Sequence, residues 1–289
     1  HASGRPTVVF GVRGITTVRI VAYGAARPLH SGHFGNWAPN PAQMLAELLA
    51  SMKDDAGRVT IADFYDDVVP LSPEERAAIA ALPVDRPADY GFAVPEGGPG
   101  AVRLERVSLP SLNVRGLAAG AVGAQARTIV PDSAIAELDL RLVPNIQPRD
   151  QVERLVAHVR AQGWHVMTGL EPPGPEVRAS HAKVAWLPAR VAGYPATRTP
   201  FTHPVARRVV GAVRDWTDQE PALLPIMGGS VPGVWFPVLG GTQLILLPIV
   251  NEDNNQHAPN ENLRLGAFFD GIAIYAAVMR LGDPEPGRP

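Results

Sequence analysis

The sequence predicts an α/β protein, and three observations carry that prediction. Hydrophobic residues make up 46% of the 289 residues, which is enough to build a sizeable core. Apolar residues alternate with polar ones in some segments and recur at helical spacing in others. Between residues 15 and 168 the predicted elements follow the split βαβ order of a ferredoxin-like sheet.

The first part of the chain contains most of the predicted strands. We expect them at residues 7–11, 15–23, 58–61, 102–107, 111–117, 134–143 and 164–168. A helix over 41–53 begins with Asn40 as cap and Pro41 in the first turn, and a second begins at the capping box formed by Ser72 and Glu75. A third helix is predicted over 150–162, and the proline-rich residues 169–202 are predicted as a crossover or linker.

A different composition begins at His203-Pro204, which opens a helix predicted to run through Trp216. Two apolar strands are expected at 234–237 and 244–250. A polar loop over 251–259 and a final helix over 260–281 complete the chain. Because sites gather at the carboxyl ends of strands in α/β layouts, this loop is the first place to look for chemistry.

Composition excludes several classes of protein. The formal net charge is −2 and no basic stripe is present, so neither nucleic acid nor an anionic membrane surface is an expected partner. The longest apolar runs are too short to span a bilayer. The absence of cysteine removes disulfides, thiolate nucleophiles and cysteine-based zinc sites. No HExxH, GxSxG or GxxxxGK[ST] motif occurs.

Four polar residues could carry chemistry, and each has an ordinary structural alternative. His257 closes the polar loop and could be a metal ligand, although a solvated loop explains it as well. Ser230 follows two glycines that could let a ligand approach the backbone, or that form a simple turn. Arg141 could bind a carboxylate or pair with Asp139. His30 lies in a short polar segment that could be a turn.

Taken in order, the polar segments resemble the two-metal exopeptidase family of carnosine dipeptidases, acetylornithine deacetylase and succinyl-diaminopimelate desuccinylase. The similarity covers essentially the whole chain and is closest to the carnosine-dipeptidase-like branch. It rests on Arg13-Gly14, Leu29-His30-Ser31-Gly32-His33-Phe34-Gly35, Asn40-Pro41, Thr128-Ile129-Val130-Pro131, Arg141-Leu142-Val143-Pro144, Gly228-Gly229-Ser230-Val231-Pro232 and His257-Ala258-Pro259-Asn260-Glu261.

The resemblance implies the C-terminal part of a two-metal aminopeptidase-like catalytic domain, residues 1–14 and 198–289, with an inserted ferredoxin-like (α+β) dimerisation lid at 15–197. It implies that His257 is a metal ligand. It also implies that His30 reaches from one subunit's lid into the partner's active site and stabilises the oxyanion. The substrate's carboxylate and backbone would be held by Thr128, Arg141, His203 and Ser230.

The family's other metal ligands and its general base precede the lid and are absent from this sequence. We therefore expect the chain to be a C-terminal portion that works with an N-terminal portion as a homodimer. The expected cofactors are two divalent metal ions, zinc or alternatively manganese, and a cytoplasmic location is favoured over a periplasmic or secreted one. The leading activity is that of a dipeptidase acting near a free carboxylate. The alternatives are an N-acyl amino acid deacylase of the same family and a non-catalytic binding or assembly module.

Overall fold

The computed structural model describes residues 1, 3–188, 192–229, 239 and 242–282. Within them, strands lie at β1 Thr7–Val9, β2 Gly11–Val12, β3 Gly14–Tyr23, β4 Leu29–His30, β5 Ser111–Ala118, β6 Ile129–Val130, β7 Ser133–Leu142, β8 His165–Gly169, β9 Val184–Pro188, β10 Ala192–Tyr194, β11 Thr197–Arg198 and β12 Ala222–Leu224. Helices lie at α1 Ser31–Phe34, α2 Pro41–Ala50, α3 Pro73–Ala80, α4 Arg103–Arg106, α5 Pro148–Ala161, α6 Pro175–Ser180, α7 Pro204–Thr217 and α8 Leu265–Met279.

The main sheet has the strand order β5-β7-β3-β9-β8, and β10 also pairs with β3. At its centre, β3 and β7 run antiparallel over ten residue pairs, from Gly14 opposite Leu142 to Tyr23 opposite Ser133. One face of this sheet carries α2 and α5, as the predicted ferredoxin-like order requires. The α/β fold class is confirmed.

The core between this sheet and its helices follows from the alternation of side chains along the strands. Every second residue of β7, including Leu138 and Leu140, is fully buried, whereas Glu137 and Arg141 lie on the opposite face. The buried residues from strands and helices form one cluster: Val18, Ile20, Ala22, Leu45, Leu48, Leu138, Leu140, Leu142, Leu155 and Val159. This packing gives the second face of the sheet, which lies opposite the helices, a fixed geometry.

A smaller sheet forms the second part of the described chain. Strand β1 pairs in parallel with β12, and Val9 also forms an antiparallel bridge with Leu246. Helix α7 packs on this sheet through Val209 and Val213, which contact the cluster around Phe10. A separate cluster joins α3 and α4 to Ala222 of β12, so the segment after α2 contacts both parts of the chain.

Three strand predictions were wrong, for local reasons. Residues 103–106 form helix α4, since Arg, Leu and Glu favour helix and only Leu104 of this segment is buried. Residues 58–61 form one bridge, between Val59 and Lys53, although Val59 and Ile61 are both buried. Residues 244–250 contribute only the bridge at Leu246. The strand predicted at 234–237 lies outside the described residues.

The segment predicted as a linker over 169–202 contains three strands and helix α6. Strand β9 is buried and joins the main sheet between β3 and β8, so this segment is part of the core. The final helix begins at Leu265 and not at residue 260, because the polar loop continues through a further turn. No helix in the described ranges has the length and hydropathy needed to cross a membrane.

Helix α8 has two apolar faces, and the described part of the chain covers only one of them. Gly271 is buried against Ile249, while Ile274 and Val278 pack onto the cluster of the smaller sheet. The opposite face, which we call the α8 stripe, consists of residues at helical spacing that are each between 39% and 82% exposed: Leu265, Phe268, Phe269, Ile272 and Met279. A helix that is apolar on all sides is usually buried on all sides.

Candidate active site

His30 and Thr128 are brought together by the short pairing of β4 with β6. His30 lies opposite Ile129 in this ladder, and the backbone N–H of Ser31 donates to the carbonyl of Thr128 at 3.0 Å. Both side chains are exposed. His30 and Thr128, which the resemblance implies are contributed by the lid, therefore lie together on one exposed edge, beyond the end of the β3–β7 ladder.

The hydrogen bonding of His30 fixes which ring nitrogen can donate. His30 caps helix α1, and its Nδ1 accepts a hydrogen bond from the backbone N–H of Gly32 at 3.0 Å. An accepting Nδ1 carries no proton, so in the neutral ring the proton is on Nε2. The His33 ring lies beside it, with 4.7 Å between ring centroids. His30 thus presents an Nε2–H donor, which is the group needed to stabilise an oxyanion.

His203 is arranged in the same way at the start of α7. Its Nδ1 accepts a hydrogen bond from the backbone N–H of Val205 at 3.3 Å, and Pro204 occupies the first turn of the helix. The ring is half-buried, and in its neutral form the remaining nitrogen is a donor. His30 and His203 therefore both cap a helix through Nδ1, and in both rings Nε2 is the nitrogen that can donate to a substrate.

Arg141 lies on the open face of the main sheet and is oriented by a buried carboxylate. Its Nε donates to Oδ2 of Asp139 at 3.2 Å, and Nδ2 of Asn113 donates to Oδ1 of the same carboxylate at 2.8 Å. Asp139 is only 8% exposed, so this pair is better shielded from water than an ordinary surface ion pair. The Asp139 pairing that the sequence offered as an alternative is present.

The distance between these groups decides which of them can share a substrate. Arg141 lies opposite Ile15 near one end of the β3–β7 ladder, whereas His30 and Thr128 lie beyond the other end, where Tyr23 is opposite Ser133. The eight residue-to-residue steps from 133 to 141 span about 26 Å at 3.3 Å per step. An extended dipeptide is only about 7 Å long. Within one chain, His30 and Arg141 cannot both contact a substrate of that size.

His257 lies in the exposed loop between Leu246 and α8, with φ of +63°. The loop is held together by Asn251, which bonds Asp253, Asn262 and the backbone N–H of Arg264. Within the described part of the chain, no three His, Asp or Glu side chains lie close enough together to hold a metal ion. These residues therefore do not form a metal site by themselves, and His257 is at most one donor of a larger set. Ser230 lies outside the described residues.

Comparison with known proteins places the chain in a family. A model of the peptidase dimerisation domain of M20 peptidases matches residues 10–165, just over half of the chain. This chain belongs to the M20 peptidase dimerisation family. The match confirms the resemblance drawn from the motifs, and it covers β2 to the start of β8, including His30, Thr128 and Arg141.

The M20 chain is also similar to curated dipeptidases. It is 25% identical to the Cys-Gly metallodipeptidase DUG1 of Saccharomyces cerevisiae, with 98% of this chain and 56% of the relative covered. It is 23% identical to the human Beta-Ala-His dipeptidase, with 94% of this chain and 52% of the relative covered. The chain thus spans about half the length of the curated relatives it matches.

Solved structures agree on the fold. The M20 family metallo-carboxypeptidase Sso-CP2 from Sulfolobus solfataricus matches with a TM-score of 0.77 and 27% identity, covering 96% of this chain and 60% of that one. Human carnosine dipeptidase 1 matches with a TM-score of 0.68 and 20% identity, covering 95% and 56%. The second likeness concerns the fold alone.

Sequence reasoning did not assign a role to Asn113 or Arg13. Asn113 lies opposite Asp139 on the neighbouring strand, and a polar residue on an open sheet face carries no distinctive signal. Arg13 was quoted only as part of a motif, yet it is 7% exposed and follows the apolar strand β2. An arginine within an apolar run is the signal that could have identified it, because charged residues are rarely buried without a partner.

Proposed function

We propose that this chain is the lid-bearing, C-terminal part of a metal-dependent dipeptidase that acts as a homodimer. Membership of the M20 family supports the reaction class, and two of the similar proteins are named metallodipeptidase and metallo-carboxypeptidase. The observation that carries the proposal is the separation of about 26 Å, along the β3–β7 ladder, between the His30 end and the Arg141 end.

That separation supports sharing of each active site between two subunits. A dimer that juxtaposes lids can bring His30 and Thr128 of one protomer to a substrate held by Arg141 of the other. Symmetry then gives two equivalent shared sites, each of which depends on both chains. A site that is incomplete in the monomer also accounts for the exposure of His30, of which only Nδ1 has a hydrogen-bond partner among the described residues.

The residues of this chain have distinct tasks in the proposed reaction. Arg141, oriented by Asp139, binds the carboxylate of the dipeptide, because a guanidinium matches the geometry of a carboxylate. His203 donates from Nε2 to the substrate backbone. His30 donates from Nε2 to the carbonyl oxygen that becomes negatively charged during hydrolysis, where a preorganised donor is worth roughly 10²–10³ in kcat.

The metal centre is proposed only as a requirement of the family's chemistry. Two divalent ions, zinc or manganese, would need donors beyond His257, since the described residues do not assemble them. We therefore assign no step of the reaction to a metal. The remaining donors and the general base are proposed to come from the portion of the protein that corresponds to the other half of the longer relatives.

The portion that corresponds to the other half of the longer relatives is also the proposed partner of the α8 stripe. Five apolar side chains on one face of α8 are exposed, and the relatives contain nearly as much additional chain as is present here. An apolar surface of this kind is typical of an interface that is buried in the complete molecule. Covering the α8 stripe would place the additional portion next to the His257 loop, which directly precedes α8.

Mixing of inactive variants tests this proposal in the complete enzyme. His30→Ala and Arg141→Ala should each be inactive toward dipeptides, with metal content unchanged. An equimolar mixture should recover about a quarter of wild-type activity, because half of the dimers are mixed and each of those has one intact shared site.

The matched control is wild type mixed with the double variant His30→Ala/Arg141→Ala, whose mixed dimers have no intact shared site. If both residues acted within one subunit, the first mixture would stay inactive, whereas the mixed dimers of the control would be half active. Absence of dipeptide hydrolysis by the wild type would contradict the proposed activity itself.

A further inference from the structure

A cavity of about 380 Å³ lies between the start of β3 and the segment that follows α2. Arg13 lines it from the side of the sheet, and Tyr65, Phe92 and Arg106 line it from the later segment. None of the candidate active-site residues in the described part of the chain lines this cavity. Its volume is at the lower end of the usual range for small-molecule sites, roughly 300–1,000 Å³.

Two cations at this cavity have no carboxylate partner among the described residues. Nη2 of Arg13 donates to two neutral oxygens, the carbonyl of Leu109 and Oγ of Ser111, and its Nε makes no hydrogen bond there. Arg106 forms no ion pair there either, and its side chain is half-buried. A buried guanidinium that is held only by neutral groups is costly and attracts an anion.

The other charges at the cavity are already neutralised within the chain. Lys53 pairs with Glu96 at 2.6 Å, and Arg103 pairs with Asp85 at 3.0 Å. Burial alone would raise the pKa of Asp85, but the hydrogen bonds from Arg103 and Tyr90 outweigh it and hold that pKa below its usual value. The Asp85 carboxylate therefore stays ionised and paired. The excess positive charge at the cavity belongs to Arg13 and Arg106.

Electrostatics indicate that the charge of Arg13 is poorly compensated. Burial, followed by the nearby charge of Arg141, lowers the pKa of Arg13 to about 10, and Asp139 compensates only in part. The guanidinium remains charged at neutral pH. A bound anion would offset both the burial and the repulsion between the two arginines.

The rest of the lining is apolar and aromatic. Val59, Tyr65, Leu109 and Pro110 contribute to the walls, and Phe92 is 46% exposed beside the opening. A cavity lined by two arginines that have no carboxylate partner among the described residues, and otherwise by mostly apolar walls, is suited to a ligand with a charged head and an apolar body.

We propose that this cavity, distinct from the proposed peptidase site, binds a small carboxylate with an apolar or aromatic body. The carboxylate lies at the end formed by Arg13 and Arg106, and the body contacts Tyr65 and Phe92. The proposal goes beyond hydrolysis, and binding alone can test it. It therefore stands or fails separately from the dipeptidase proposal.

The probe is 3-phenylpropionate, titrated into the full chain by calorimetry, with its neutral amide 3-phenylpropanamide as the matched ligand. We expect the carboxylate to bind at least about tenfold more tightly than the amide, because it alone makes charge-assisted hydrogen bonds. Inorganic phosphate, an anion without an apolar body, should bind more weakly than 3-phenylpropionate. Equal binding of acid and amide, or phosphate binding as tight as that of the acid, overturns the proposal.

Variants locate the probe. Arg106→Gln should weaken 3-phenylpropionate by about tenfold, whereas Arg86→Gln, an exposed arginine paired with Asp89 on the same segment, should not change its affinity. Because Arg13 is buried and its substitution can disturb folding, Arg106→Gln is the decisive variant. Arg141→Ala distinguishes the two sites: Arg141 does not line the cavity and acts on Arg13 only through its charge, so this variant should weaken binding less than Arg106→Gln does. Loss of binding in Arg141→Ala with retention in Arg106→Gln would place the probe in the peptidase site and refute the assignment.

Discussion

The α8 stripe gives the most quantitative prediction about assembly. Phe269 is 64% exposed, and a phenylalanine can bury roughly 200 Å². Covering its exposed part removes about 130 Å² from water, which at about 25 cal/mol per Å² is worth about 3 kcal/mol. Phe269→Ser should therefore weaken association with the proposed remaining portion of the protein by about a hundredfold. Ile272→Ser, at a residue that is 52% exposed, should have a smaller effect in the same direction.

The assay is the dissociation constant between this chain and the separately produced remaining portion, measured by analytical ultracentrifugation. Leu170→Ser is the matched control, because Leu170 is 82% exposed and lies outside the stripe, so its loss should leave association unchanged. The stability of Phe269→Ser alone should equal that of the parent chain, since the side chain packs on little in the isolated chain. An affinity within twofold of the parent value would show that the other portion does not cover α8, and the reasoning would be refuted.

Three further predictions concern the lid and its packing. Asp139→Asn should raise KM about tenfold with a smaller change in kcat, because it removes the charged partner of Arg141, whereas Glu137→Gln on the same face should change neither. Gly14→Ala should lower the unfolding midpoint, since a Cβ there would lie 2.5 Å from a backbone carbonyl oxygen. Burial lowers the pKa of His158, so stability is lost as pH falls below the usual histidine range. His158→Gln should make urea denaturation less sensitive to pH between 5 and 7.

The sequence was sufficient for elements whose own pattern decides their structure. Leu138, Leu140 and Leu142 alternate with polar residues, so strand β7 and most of its buried face could be predicted, although the apolar Ile135 lies on the opposite face and is 37% exposed. Helix α5 likewise presents one apolar stripe. The pattern failed where burial came from distant parts of the chain. Val59 and Ile61 alternate like a strand, yet among the described residues their segment forms only the bridge between Val59 and Lys53. Leu104 is buried by a cluster that includes Ala222. Contacts of this kind cannot be predicted from the sequence of a short segment.

For the candidate site, residue identities could be read from the sequence but their separation could not. His30, Thr128 and Arg141 were selected from short motifs, and pairing with Asp139 was already an alternative for Arg141. Only the pairing of β4 with β6 reveals that His30 lies at the Thr128 end of β7 and not at the Arg141 end. Register depends on which strands become neighbours, and no local pattern specifies that. The sequence also did not indicate that His30 caps α1 through Nδ1, because that hydrogen bond depends on the conformation of the turn into α1.

The β3–β7 ladder sets the distance between its two ends, and this distance can change only by whole residues. A one-residue shift of β7 relative to its neighbours would turn its side chains to the other face, so that Leu138 would move from the interior to solvent and Arg141 from the open face to the interior. Loss of two residues from each strand would keep every side chain on its face and shorten the ladder by about 6.6 Å. Shortening the β3–β7 ladder without inverting its faces therefore requires the loss of two residues from each of the two strands.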